Sequence, residues 1–479
     1  MKEKKKRRSL NTYEILILIL AIVSMVTFFL DGEPYIADNG KKAAVVGATF
    51  HDFLMAPIAG FHDASDVIGF VFCLGAFLAL VNATGALETG INSLVKKMKG
   101  KEIILVPILM FLFSIGGTTY GMGEETVGFY ILLASTMLAA GMDPMVGAAT
   151  VLLGAGTGVL GSTINPFSTG AGIAAAKAAK VDIDTGIAYG IGLILWIGTY
   201  IISTIYTVNY AKKVMEGKGS ILTPSQLKEA EEAYGSKDAD ASLTGKQKVC
   251  LWIFALTFLV MILGFIPWEK LNTGVFNGLK FTKFLTGNQL GAWWFDDAAT
   301  WFTLMGIVIA LIGMEDKSKI PQAIESGIAD MIGVNLVIAL ARATTVVMNK
   351  TGVGTWMVQT SVKGLTESGI SAGFFGFLNY LLHIGLSFLV PSSSGLAGLS
   401  APIVAPIVKG MHWSAETAVI NIAATNGFVN LFTPTCGFIM GGLALARIPY
   451  ATYLNWVKKL LVILFVFVGV VIIGSMVIL

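Results

Sequence analysis

A chain of 479 residues that is 55% apolar and only 13% charged, with a mean hydropathy of +0.75, excludes a soluble globular domain and a disordered one. The formal net charge of +3 singles out no partner, and three cysteines, Cys73, Cys250 and Cys436, form neither a disulfide framework nor a zinc pattern. What remains is an integral membrane protein crossed by many helices.

Residues 1–12 hold six Lys/Arg, opening with the run Lys2–Arg8, and are expected on the cytoplasmic side. The first span, Tyr13–Leu30, has no small-residue cleavage site and reads as retained rather than as a signal peptide. Thr49–Phe61 is amphipathic and fits a helix along the outer interface. A second span, Val67–Leu87, ends before a basic inner loop with Lys96, Lys97, Lys99 and Lys101.

The stretch Gly116–Gly170 is unusual. An apolar arm (Ile103–Ser114) leads into a polar, glycine-rich tip (Gly116–Thr126), and a second arm (Val127–Ala140) leads away to a turn at Gly141–Pro144. At about 1.5 Å per residue neither arm spans a hydrocarbon core of about 30 Å, so the pair reads as a re-entrant hairpin, residues 102–141. Met145–Ala179 is a broken span, because Pro166 lacks an N–H and disfavours helix at Asn165. Irregular backbone at membrane depth survives only where protein or a water-filled cavity satisfies it.

Gly186–Thr207 is the fourth span. Lys212–Lys248 is a polar linker whose segment LTPSQLKEAEEAYG suits a capped surface helix. Spans follow at Val249–Ile266, Ala292–Gly313 and Ile328–Met348, with an aromatic-rich outer loop through Gly291 and a charged inner loop at Glu315–Glu325. A second hairpin, residues 371–409, has its tip at Pro391–Gly395. A second broken span, Ala415–Ala446, is interrupted at Thr433-Pro434-Thr435, and Tyr453–Ile478 is the last. The reading is thus an all-α polytopic membrane protein of about nine full spans. This topology puts 22 of the 33 Lys/Arg on the cytoplasmic side and ten outside, with Arg342 inside a span; the N-terminus is cytoplasmic and the C-terminus outside.

The two halves correspond. Asp66-Val67-Ile68-Gly69 matches Asp330-Met331-Ile332-Gly333, and Asn82-Ala83-Thr84-Gly85 matches Asn349-Lys350-Thr351-Gly352. Thr118–Gly121 matches Ser392–Gly395, and Asn165-Pro166 matches Thr433-Pro434. Recurrence of small residues for close helix packing explains single matches but not their shared order. The expected organisation is a first repeat (1–208), a linker (209–248) and an inverted second repeat (249–479), the plan of secondary transporters.

At GMGEET (Gly121–Thr126), LLGAGTGVLGSTINPFSTG (Leu152–Gly170) and PSSSGLAGLSAPI (Pro391–Ile403) the chain resembles the YfcC-type carriers, relatives of the C4-dicarboxylate anaerobic carriers in the ion transporter superfamily. The resemblance implies a scaffold and a transport domain, opposed hairpins and broken helices holding the solute, elevator-like movement and a homodimer. Carriers of this type are commonly proposed to exchange basic amino acids. The tips Thr118-Thr119 and Ser392-Ser393-Ser394 differ from the Ser-Asn-Thr of the sodium–dicarboxylate branch, so the resemblance does not carry that branch's sodium coupling.

The residues expected at the site are first the hydroxyls and amides Thr118, Thr119, Ser162, Thr163, Asn165, Ser392, Ser393, Ser394, Asn426, Asn430, Thr433 and Thr435. Helix N-termini at the tips attract a carboxylate, and unwound carbonyls and hydroxyls suit a cation, with sodium conceivable near Thr118, Asn165, Ser393 and Thr433. The alternative for each is that it only satisfies broken backbone. Glu124 and Glu125, acids at membrane depth, read as counter-charges or proton carriers, against the plainer role of complementing a helix N-terminus. Arg342 reads as a carboxylate anchor or as one half of an ion pair. His383 reads as a packing residue before a proton relay, and Asp296 and Asp297 as solvated interface residues. No Walker A, HExxH or GxSxG motif is present, and no cofactor, enzyme chemistry or nucleic-acid partner is expected. The expected function is secondary transport of a small carboxylate-bearing solute across the inner membrane, by exchange or coupled to Na+ or H+. A basic amino acid leads, a C4-dicarboxylate follows, and a channel is the reading from another class.

Overall fold

The structure, a computed structural model, describes residues 12–37, 41–97, 100–234, 242–266, 268, 281–367 and 369–479. The basic run Lys2–Arg8, Lys99, residues 235–241 of the expected linker and most of the outer loop before Gly291 lie outside the described residues.

Helix α1 (Thr12–Phe29) precedes a small hairpin of β1 (Pro34–Ile36) and antiparallel β2 (Lys42–Ala44). Then come α2 (Phe50–Asp63), α3 (Ser65–Ala83) and α4 (Ala86–Lys97), followed by α5 (Leu105–Tyr120), α6 (Val127–Ala139), α7 (Pro144–Gly161) and α8 (Thr169–Ala178). The long α9 (Thr185–Met215) leads to α10 (Pro224–Tyr234) in the linker. The second half holds α11 (Gly245–Phe265), α12 (Phe281–Thr286), α13 (Phe295–Gly313), α14 (Ile320–Thr351) and α15 (Val353–Glu367). It ends with α16 (Ala372–Leu389), α17 (Ser393–Gly410), α18 (Ala415–Val429), α19 (Gly437–Leu445) and α20 (Tyr450–Ile478).

Among the described residues ten helices are long and apolar enough to cross a membrane. The protein is an all-α polytopic membrane protein. Eight of the nine expected spans are among the ten; the broken span at 415–446 is not, because α18 has only 15 residues. The two additions are Glu102–Tyr120 and α16, the first arms of the expected hairpins. The first arm is longer than expected because α5 runs through the Gly-Gly-Thr-Thr tip to Tyr120, four hydroxyl and glycine residues that pack rather than break the helix.

The amphipathic segment expected on the outer interface is α2, capped by Thr49, but it does not lie apart. It runs into α3 at Ala64 and packs antiparallel along α14, with Asp52 beside Lys350 at one end and Asp63 beside Arg342 at the other. Two glycines let α3 approach α14 closely. A Cβ on Gly75 would lie 2.4 Å from the Gly327 carbonyl oxygen, and one on Gly327 would lie 2.3 Å from that of Gly75. Both long helical runs end on a left-handed glycine, Gly85 (φ 67°) and Gly352 (φ 73°), and each is followed by a shorter amphipathic helix, α4 or α15.

The helices pack in two groups. In one, α14 packs on α1, α2 and α3, α3 on α13, and α13 on α11. In the other, α5–α9 pack with α16, α17, α18 and α20. Helix α19 lies between them, against α14 on one side and α6 on the other. The grouping cuts across the sequence, since each group draws helices from both halves.

Candidate functional site

Helix α5 ends at Gly121, whose φ of 79° closes the last turn: its N–H donates to Gly117 O at 3.0 Å, and Met122 N–H to Gly116 O at 3.4 Å. No other residue fits well, since a Cβ there would stand 2.7 Å from Asn165 Nδ2. The chain resumes as α6 after Gly123-Glu124-Glu125. Glu125 is buried, and its Oε2 accepts from Gly123 N–H at 3.0 Å, so this acid holds the start of its own helix. Glu124 is left on the cavity side.

The second break mirrors the first in purpose. Ser392 caps α17 through Gly395 N–H, at 3.2 Å. Asn426 of α18 donates to Val390 O at 3.2 Å and Pro391 O at 3.3 Å, Asn430 donates to Pro391 O at 2.9 Å, and Ser393 Oγ donates to Asn426 Oδ1 at 2.8 Å. Two asparagines one helical turn apart thus fix this loop. The first N–H groups of α17 have no intrahelical acceptors, which makes that end attractive to an anion.

The breaks in α7–α8 and α18–α19 are tied internally. Thr118 meets Thr163 at 3.0 Å, Asn165 Nδ2 donates to Ser162 Oγ at 3.1 Å, and Thr433 meets Thr435 at 2.7 Å. Thr435 donates onward to Phe388 O at 2.9 Å.

These breaks surround a cavity of about 360 Å³ between the two helix groups. Of the expected site residues it is lined by Glu124, Glu125, Arg342, Ser392, Ser393, Ser394, Asn430 and Thr435. Thr118, Thr119, Ser162, Thr163, Asn165, Asn426 and Thr433 do not line it. Thr119 Oγ1 bonds back to Ile115 O at 2.7 Å, the rest satisfy the breaks as above, and so they brace the site rather than face it. Asn430 Oδ1 and Tyr120 OH, both on lining residues, are buried without a partner among the described residues.

The sequence reading missed Asp63, Asp66, Tyr120, Phe167 and Trp294, which also line the cavity. Arg342 Nε is 3.3 Å from Asp63 Oδ2, so it pairs with an acid and still faces the cavity. Trp294 Nε1 donates to Asp66 Oδ2 at 2.5 Å, and its ring lies 5.0 Å from that of Phe167. Asp66 carried a signal, its place in the matched Asp-Val-Ile-Gly string. Trp294 carried none beyond an interfacial tryptophan. Asp297 is a correction: far from solvated, it is 2% exposed and accepts from Trp294 N–H at 2.8 Å and Asn288 N–H at 3.1 Å. His383 is buried, with Nδ1 2.9 Å from Asn379 O, the packing position expected.

The model of the C4-dicarboxylate anaerobic carrier family, DcuC, matches residues 8–477. The chain belongs to that family. This DcuC-family chain is therefore a multi-pass membrane carrier. It is 29% identical over 418 residues to an uncharacterized protein of Haemophilus influenzae, covering 86% of this chain and 75% of that one. It is 26% identical over 424 residues to YfcC of Escherichia coli (strain K12), a protein named as a proposed basic amino acid antiporter, covering 86% and 78%. Among solved structures it is similar to the YdaH transporter of Alcanivorax borkumensis, with a TM-score of 0.46 at 15% identity over 97% of both chains. MtrF of Neisseria gonorrhoeae, described as one of a class of antimetabolite efflux pumps, gives 0.43 at 15% identity over 99% of this DcuC-family chain and 96% of its own.

Proposed function

We propose that this carrier exchanges a basic amino acid, of the arginine or ornithine kind, through the cavity between its helix groups. The observation that carries the reading is the cavity's polarity. Four acids line it (Asp63, Asp66, Glu124 and Glu125) against one arginine, and that arginine is already paired with Asp63. The opposite wall is the N-terminus of α17 with the hydroxyls of Ser393 and Ser394. A basic amino acid matches both ends: its carboxylate suits the helix terminus, and its ammonium and side-chain cation suit the acids. The volume sits at the low end of the range for small-molecule sites, about 300–1,000 Å³.

A C4-dicarboxylate, which the family's name suggests, would bring two negative charges to a cavity with an excess of acids. Arg342 is the one group that favours it. Of the oxygens considered for sodium, those of Thr118, Asn165, Ser393 and Thr433 each hold a hydrogen bond at a helix break.

The mechanism follows from the same reading. The halves 1–208 and 249–479 act as inverted repeats joined by 209–248, with their hairpins entering from opposite faces. Support comes from the matched order of elements and from α6, whose 13 residues reach only about 20 Å. The hairpin group slides as an elevator along the group that contains α3 and α14. The Lys/Arg bias supports a cytoplasmic N-terminus.

Counterflow in proteoliposomes tests this. Vesicles loaded with unlabelled arginine or ornithine should accumulate labelled arginine saturably, and Glu124→Gln should lower kcat/KM at least about tenfold, which is about 1.4 kcal/mol. Succinate exchange that ignores Glu124→Gln sinks the amino-acid reading. Flux without stimulation by solute on the far side would mark a channel.

A further inference from the structure

A second cavity, of about 800 Å³, has no part in the site just described. Like the first it lies in the seam between the helix groups. Asn82, Leu87 and Glu88 at the far end of α3 and the start of α4, together with Asp330 of α14, form one wall. Helix α6 (Gly128, Ser135 and Ala139), the end of α19 with Arg447, and Glu232 of the linker helix α10 form the other.

The two cavities sit at opposite ends of the same helices. Asp66 and Asn82 stand sixteen residues apart on α3, about 24 Å; Asp330 and Arg342 stand twelve apart on α14, about 18 Å. Between them the seam is closed by glycines of α19. A Cβ on Gly437 would lie 2.7 Å from Ile338, one on Gly441 would lie 2.5 Å from Val334, and one on Gly442 would lie 2.3 Å from the Tyr130 ring. At these three positions α19 presents bare backbone to side chains of α14 and α6, which lets the helices pack closely across the seam.

The charges repeat as well. Glu88, Glu232 and Asp330 line the second cavity with a single arginine, Arg447, as the first cavity's acids line theirs with Arg342; Glu232 also meets Lys228 Nζ of its own helix at 3.7 Å. Asp330 stands in the second half where Asp66 stands in the first, within matching strings.

We propose that the second cavity is the opposite mouth of the transport path, and that Asp330 with Glu232 of the linker helix makes it selective for cationic solutes. This rests on the exchanger reading for the identity of the solute, but not for access or charge. The linker then does more than join the halves: it supplies one wall of a mouth.

The test labels thiols in reconstituted full-length protein with Cys73, Cys250 and Cys436 replaced by serine. Ser135→Cys, with Ala139→Cys as a second position should the first fail to fold, reports the second cavity. Ser394→Cys reports the first. Membrane-impermeant cationic and anionic methanethiosulfonates are added from one face at a time. The second-cavity thiols should react from one face only, and Ser394→Cys from the opposite face. At the second cavity the cationic reagent should react at least about tenfold faster than the anionic one, and Asp330→Asn should reduce that ratio at least threefold. Bulky modification there should stop exchange. Labelling of both cavities from the same face, equal rates for both reagents, or undiminished exchange after modification overturns the proposal. If labelling behaves as expected while arginine is not exchanged, the path stands and the amino-acid reading alone fails.

Discussion

Arg342 and Asp63 meet at 3.3 Å, with 26% and 48% of their side chains exposed, where α14 passes the end of α2. Their placement makes the pair both a tie between halves and part of the cavity wall. Pairs of this exposure couple by about 0.5–1 kcal/mol, so their removal should be felt in transport more than in stability. Arg342→Gln and Asp63→Asn are each expected to lower exchange, and the double variant to lose less than the sum of the two, which a double-variant cycle on kcat/KM would reveal. Strict additivity would mean that the two residues act apart. Arg342 was legible in the sequence because a lone basic residue inside a span demands a partner. The partner was not legible, because Asp63 lies 279 residues away and precedes a span, where a solvated acid is the plain expectation. Thr118 and Thr119 misled for a related reason. Hydroxyls near a tip look like ligands in a string of letters, yet a helix that continues to Tyr120 turns them inward to bond Thr163 and the backbone of their own helix.

Gly121 and Asp143 show how single positions govern whole elements. Gly121→Ala must hold a left-handed turn and crowd Asn165, at a cost of about 1–3 kcal/mol. A lower melting temperature in detergent, with exchange lost in proportion, is the expected result; an unchanged melting temperature would contradict it. Asp143 lies in the turn between α6 and α7 and caps α7 by accepting from Val146 N–H at 3.0 Å. It also accepts from Tyr210 OH at 2.5 Å and from Ser220 Oγ, which pins the linker beneath this turn. Burial pushes its carboxyl above the ordinary carboxylate range, while the bonds from Ser220 and Tyr210 oppose the shift. An acid raised in the folded state favours folding most below its ordinary value of about 4 and loses that contribution as pH rises through the folded value. Asp143→Asn keeps a capping oxygen and cannot ionise. The parent should therefore gain in melting temperature relative to Asp143→Asn as pH is lowered from about 7 to 4. A difference independent of pH would refute the linkage. The breaks at this scale were readable wherever chemistry forces them. Pro166 and Pro434 lack N–H groups, and α8 and α19 restart beyond them at Thr169 and Gly437. The end of α5 was not readable, since a glycine pair followed by threonines can either break a helix or pack it.

For the whole molecule the hydropathy pattern sufficed to assign the class and the position of most spans, but α9 runs on to Met215 and α14 begins at Ile320, inside the stretch expected as a charged inner loop, because polar residues extend a helix beyond its apolar run. What the pattern could not reveal is which helices sit together. Proximity in sequence suggests two separate halves, whereas packing assembles α1–α3 with α11, α13 and α14, and α5–α9 with α16, α17, α18 and α20. The crossing of Gly75 and Gly327 is a close-packed expression of that exchange, and Gly75→Val should lower the melting temperature by the equivalent of about 1–3 kcal/mol. Normal thermal stability in that variant would mean that α3 and α14 can part without cost.

Helices α2 and α3 from the first half lie on α14 from the second, α7 lies on α18, and α9 on α20, so each half offers the other most of the surface it needs to cover. The connection between α10 and α11 is then expected not to be required for folding. The carrier could be encoded as two half-length genes. Co-expressed fragments divided within residues 235–241 should purify as one particle, each insoluble without its mate.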